Sequence, residues 1–191
     1  MTVTCASAVV DVSYAAAVAS PPGDALRGLS IGEIREKARR EAQDVLNTWW
    51  APGALPVDPV SVARSLGLSV LSARLADDIF GMLVGGKNGA DIYLDKDQPR
   101  SRFRFSCAHE IGHYVLRSVE IAAGNAFIDR RSDADRGSPD EVYANEFAGS
   151  LLMPEAVLRA AVAEGEDDFD LMRRFDVSLD AVRYRRAILD L

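Results

Sequence analysis

Histidine and cysteine are scarce in this chain: each occurs twice in 191 residues. Cys5 lies in an unpatterned N-terminal stretch and Cys107 in a helical one, so the pair makes no disulfide framework, and the chain is expected in a reducing, cytoplasmic setting. Basic residues are also in deficit, 22 Lys and Arg against 29 Asp and Glu, for a net charge of −7. That balance lacks the positive footprint phosphate backbones demand, so direct DNA binding is not expected. No apolar run approaches the ~18 residues of a membrane span, and no membrane partner is expected. A secretory signal is not expected either: no Lys or Arg precedes Arg27, and Asp11 interrupts the Ala- and Val-rich start. With 48% hydrophobic and 27% charged residues, the remainder is the composition of an ordinary globular domain.

Residues 1–29 read as a flexible leader through Pro21-Pro22-Gly23, and 30–191 as a single domain whose part from about 155 onward is helical. A helix is expected over 30–47, where Ser30 and Glu33 form a capping-box pattern and Ile31, Ile34, Ala38, Ala42 and Val45 keep helical spacing. A short helix opens at Pro56-Val57-Asp58-Pro59 and closes at Gly67. Strands are expected over 68–75, 79–84 and 90–94, with Gly85-Gly86-Lys87-Asn88-Gly89 as the turn between the last two. Helical spacing returns over 101–117. A polar loop follows over 124–137, holding a short strand at 126–128. Helices are then expected over 138–152, from Pro154 as first helical residue, and near 169–174 and 179–189. The acidic run Glu164-Gly165-Glu166-Asp167-Asp168 reads as a solvated loop feeding a helix N-terminus.

Both histidines fall in one motif, His109-Glu110-Ile111-Gly112-His113. Two histidines placed at random fall four apart about 1% of the time, and a glutamate directly after the first makes the motif rarer by roughly tenfold. On a helix, residues four apart share a face, so both imidazoles reach one metal. Glu110 stands one step round from them, placed to take a proton from a water. Zinc would bring that water's pKa down to about 7.

A catalytic zinc site takes three protein ligands, and no third histidine exists. The third is therefore a carboxylate, or else Cys107, which reads better as small core filler. Glu141 is the best candidate, at the start of a helix with Asn145 one turn later to hydrogen-bond a ligating imidazole. Ser138-Pro139-Asp140-Glu141 is also a capping box, so capping competes with ligation for this carboxylate. Glu146, Asp140 and Glu120 are the fallback ligands.

Phe105-Ser106-Cys107-Ala108-His109-Glu110-Ile111-Gly112-His113-Tyr114, followed by Glu141-Val142-Tyr143-Ala144-Asn145-Glu146-Phe147-Ala148-Gly149-Ser150-Leu151-Leu152-Met153-Pro154, resembles the ImmA/IrrE family of metallopeptidases over roughly 57–191. The resemblance implies an α+β fold, a minimal zincin in which a small twisted sheet packs on the HExxH helix. It implies zinc held by His109, His113 and Glu141, with Glu110 as general base. It also implies a protein partner, a helix-turn-helix transcriptional repressor whose cleavage relieves repression of stress or mobile-element genes. One position departs from the pattern: Tyr143 stands where an acidic residue is common. Tyr114, Tyr93 and Arg102 are the candidates for oxyanion or substrate contacts.

Two other readings compete. Residues 62–69, and 175–178 leading into Arg183, Arg185 and Arg186, resemble pieces of a helix-turn-helix, which would make the chain a DNA-binding regulator. Alternatively the chain keeps the zinc site but only binds a repressor, as a regulator or toxin. Glu110 discriminates, because a binding-only protein has no chemical need of a base there. Arg100, Arg102 and Arg104 alternate ahead of the motif and read as a solvated helix entrance rather than a grip on an acidic substrate.

Overall fold

The computed structural model describes residues 24–76, 79–86, 89–118, 127–130 and 137–191. Most of the expected leader, part of the 85–89 turn, most of the loop at 124–137 and the fallback ligand Glu120 lie outside them. The described residues form seven α-helices and four strands: α1 (Ile31–Trp49), α2 (Pro59–Ser65), β1 (Ser69–Ala73), β2 (Gly81–Gly86), β3 (Gly89–Asp95), α3 (Arg100–Leu116), β4 (Phe127–Arg130), α4 (Pro139–Leu152), α5 (Glu155–Ala163), α6 (Asp168–Phe175) and α7 (Leu179–Ile188). The fold is α+β, as the sequence implied. Ahead of α1, Asp24–Leu26 makes one 3₁₀ turn, and Leu26 is buried in the core.

The strands form one mixed sheet in the order β1-β3-β2-β4. β1 runs parallel to β3, while β2 is antiparallel to both β3 and β4. Alternation decides its faces. Ala90, Ile92 and Leu94 are buried on one face of β3, and Leu83 is buried on β2. Helix α3 packs against β2 and β3, and α4 lies between α1 and α3. Ser30 caps α1 in a complete capping box with Glu33, and the helix buries Ile34, Ala38, Ala42 and Val45 of the stripe read from the sequence; Ile31, its first member, is exposed in the opening turn. Met153 and Pro154 form the break between α4 and α5; Pro154 is the N-cap of α5 and Glu155 its first helical residue, one position later than expected.

Two glycines control close approaches. At Gly112, a Cβ would stand 3.1 Å from the Ala144 Cα and 3.2 Å from the Phe147 Cβ, so glycine is what lets α3 and α4 lie against each other at the histidine motif. At Gly81, the first residue of β2, a Cβ would meet the Glu110 Oε1 at 2.6 Å. Gly81, Leu83 and Gly85 alternate toward the buried side, and at Gly81 the carboxyl arm of Glu110 fills the space a side chain would take.

Arg104 ties distant parts to the start of α3. Its guanidinium donates to the carbonyls of Val57 at 2.7 Å and Asp176 at 2.9 Å, and Arg100 pairs with the Asp176 carboxylate at 2.8 Å. Asp176 closes α6 in the left-handed region (φ 52°), a conformation its short polar side chain tolerates. Arg102 lies over the Phe80 ring, 4.5 Å from its centroid. Arg104 is thus buried, while Arg100 and Arg102 lie at the surface with partners of their own, a largely solvated entrance to α3.

Candidate metal centre

His109, Glu110 and His113 sit mid-helix in α3, each at most 2% exposed. The two imidazoles meet edge to face, with ring centroids 4.7 Å apart. Across the groove, Glu141 stands in the first turn of α4. Ser138 caps that helix by accepting from the Glu141 backbone N–H at 3.3 Å. The Glu141 carboxylate makes no return bond to the cap; it is turned to the histidines, its Oε1 lying 3.2 Å from His113 Nε2 and 3.5 Å from His109 Nε2. Capping and histidine contact, which compete in the sequence, are divided between backbone and side chain.

The His109 Nδ1–H donates to Asn145 Oδ1 at 3.2 Å, which leaves the lone pair of Nε2 on the inner side. There it faces His113 Nε2 at 2.9 Å. Three acceptor-capable atoms from His109, His113 and Glu141 therefore converge in a buried space. Their separations of 2.9, 3.2 and 3.5 Å fit a tetrahedral ion, since bonds of 2.0–2.1 Å to N and O make a tetrahedron with edges of about 3.3 Å. The electrostatics agree. Without a metal, burial pushes the Glu141 carboxyl up, but hydrogen bonds and charge from His109 and His113, when those imidazoles carry a proton on Nε2 in place of the ion, outweigh it and hold the carboxyl well below the usual carboxylate range. The carboxylate is thus ionised at neutral pH, as a metal ligand must be. Among the described residues this is the one cluster of three His, Cys, Asp or Glu donors that can hold a metal.

The fallback ligands are engaged elsewhere. Glu146 accepts from Arg39 Nε at 2.8 Å and from Arg185 Nη1 at 2.5 Å, and Asp140 pairs with Arg117 at 3.3 Å. Cys107 is fully buried in the core, where burial pushes its thiol well above the usual range. Tyr143, at the departing position, is buried, and its hydroxyl donates to Glu41 of α1.

The three candidates for oxyanion or substrate contacts lie on two elements, Tyr114 and Arg102 on α3 and Tyr93 on β3. Tyr114 packs beside the core, Arg102 is occupied with Phe80, and Tyr93 lies on the sheet face opposite the buried Ile92 and Leu94. Gly81 is the contributor to the site that sequence reading missed. Its signal was a glycine at an inward position of a strand, where alternation calls for an apolar residue. The arginines behind the DNA reading are paired internally: Arg183 and Arg186 with Asp168, and Arg185 with Glu146.

Among proteins of curated function, none matches this chain in sequence. Among solved structures, a Mycobacterium tuberculosis transcriptional regulator is similar, with a TM-score of 0.52 and 23% identity over 80% of this chain. This chain spans 46% of that protein's length, and the likeness is one of fold. No helix among the described residues is long and apolar enough to cross a membrane. The sequence profile of the IrrE N-terminal-like peptidase domain matches residues 63–186, a stretch that contains the whole histidine motif, Gly81, Glu141 and Asn145. The chain belongs to the IrrE N-terminal-like peptidase family.

Proposed function

We propose that this protein is a zinc-dependent endopeptidase that cuts one peptide bond in a protein partner, a helix-turn-helix transcriptional repressor, and so relieves repression. The convergence of His109 Nε2, His113 Nε2 and Glu141 Oε1 within hydrogen-bonding distance of one another in a buried groove supports this reading most directly. These three residues would hold the zinc, and a zinc ion there supplies Lewis acidity to the scissile carbonyl. Glu110 follows His109 by one residue and is turned about 100° round the helix, beside the ligand face rather than on it. In that place its carboxylate takes the proton of the attacking water and passes it to the leaving amine. Asn145 holds His109 in the tautomer whose Nε2 faces the groove. The repressor as partner rests on the family resemblance alone.

The test is to incubate the zinc-loaded protein with a candidate helix-turn-helix repressor and read the products by mass spectrometry. Two complementary fragments that disappear when a chelator is added support the reading. Candidate repressors left intact in the presence of zinc would overturn it.

Gly81→Ala tests the seat of Glu110. The new methyl would press on Oε1, the movable end of a side chain, so the fold and zinc content should persist. A displacement of the base by about 1 Å should lower turnover by up to about 10²-fold. Turnover at the wild-type rate in Gly81→Ala would show that Glu110 does not depend on this contact.

A further inference from the structure

Gly149 lies in the interior of α4, where glycine costs roughly 0.5–1 kcal/mol relative to alanine. Gly112 has a steric reason to be glycine; Gly149 has none. A Cβ at Gly149 would meet nothing closer than the Arg185 Cδ at 3.8 Å, an ordinary contact. The missing side chain opens onto a cavity of about 250 Å³ between α3, α4 and α7. Phe105, Met153 and Ile188 supply apolar wall, and Asn145 and Arg185 supply polar wall. The cavity lies beside the metal cluster on the same seam between α3 and α4: Phe105 is one turn before His109, and Asn145, one turn after Glu141, both lines the cavity and bonds His109. It is smaller than the ~300–1,000 Å³ of pockets for whole small molecules.

Arg185 adds a second observation. Its side chain is 3% exposed, and although Nη1 and Nη2 reach Glu146 and Ser150, its Nε has no hydrogen-bond partner among the described residues. That nitrogen is sealed inside the protein, so what Arg185 brings to the cavity is its charge. Glu146, the carboxylate bonded to Arg185, is shared with Arg39, so the polar side of the cavity is short of negative charge.

We infer that this cavity is a substrate subsite that receives a long uncharged apolar side chain, of the Leu, Met or Phe class, from a residue beside the scissile bond. The inference rests on the peptidase reading for the word substrate, but the cavity's selectivity stands apart from turnover. Lys and Arg side chains are rejected there, because two guanidiniums already share one carboxylate.

The test uses blocked tripeptides Ac-Gly-X-Gly-NH₂ with X = Leu, Met, Phe or Lys, titrated into the zinc-loaded protein and followed by NMR at the Met153 methyl and the Asn145 side-chain amide. Leu, Met or Phe should shift both signals saturably, and Lys should bind at least about tenfold more weakly. Gly149→Leu, which fills the cavity from a position with room for its Cβ, should abolish these shifts while zinc content is kept; Ala181→Leu, on the α7 wall, is the second filling variant should the first fail to fold. Equal binding of all four peptides, no shift at Met153, or undiminished binding in a folded filling variant would each overturn the subsite. Selective binding without cleavage of any repressor would leave the subsite standing and sink the peptidase reading. Cleavage with unselective binding would do the reverse.

Discussion

Glu110→Gln is expected to keep its zinc and its fold and to lose hydrolysis by about 10²–10⁴-fold, the span general acid–base catalysis contributes. Glutamine matches glutamate in shape, so the seat under Gly81 stays filled. What is lost is the capacity to take a proton and return it. Residue 110 is not one of the three proposed ligands, so metal content should equal that of the wild type. Fragment yield from a repressor substrate, normalised to bound zinc, measures this. A Glu110→Gln protein that still silences its partner would assign the effect to binding rather than hydrolysis, which is the non-proteolytic alternative.

Glu146→Ala is expected to destabilise the fold by about 3–5 kcal/mol, the cost of leaving a buried charge without its partner. For a chain of this length that is a fall in Tm of roughly 10 °C or more. Glu146 is buried and accepts from two arginines. Arg39 is 31% exposed and can turn to water; Arg185, at 3%, cannot. Replacing Glu146 and Arg185 together by leucine should recover most of the loss, because apolar pairs of similar volume substitute well for buried ion pairs. Thermal unfolding of the single and double variants decides it. A Tm unchanged in Glu146→Ala would mean the pair contributes nothing to the attachment of α7.

Helices α1, α3 and α4 were legible because of the helical spacing of their residues, and α1 and α4 also because their starts carry Ser30 and Ser138. The histidine motif was legible because its ligands share one helical face, a constraint confined to five residues. Glu141 could be preferred but not separated from its capping role, since that depends on where α4 lies relative to α3. That placement is set by Gly112 meeting Ala144 and Phe147, a contact between residues far apart in sequence. The same limit hid the Arg39–Glu146–Arg185 network, whose partners lie 107 and 39 residues apart. Strand ends moved for a related reason. Pairing with β3 carries β2 through Gly86 and brings Gly89 into β3, shortening the expected turn. The short strand expected at 126–128 runs instead over Phe127–Arg130, where it pairs with β2.

The central claim is that His109, His113 and Glu141 form one metal site. Metal content of the purified protein, wild type beside Glu141→Ala, tests it most directly. The account predicts near one zinc per wild-type chain and loss of most of it in Glu141→Ala, with both proteins folded. A wild type that takes up no zinc at neutral pH, or a Glu141→Ala protein that holds zinc as tightly as the wild type, would contradict it.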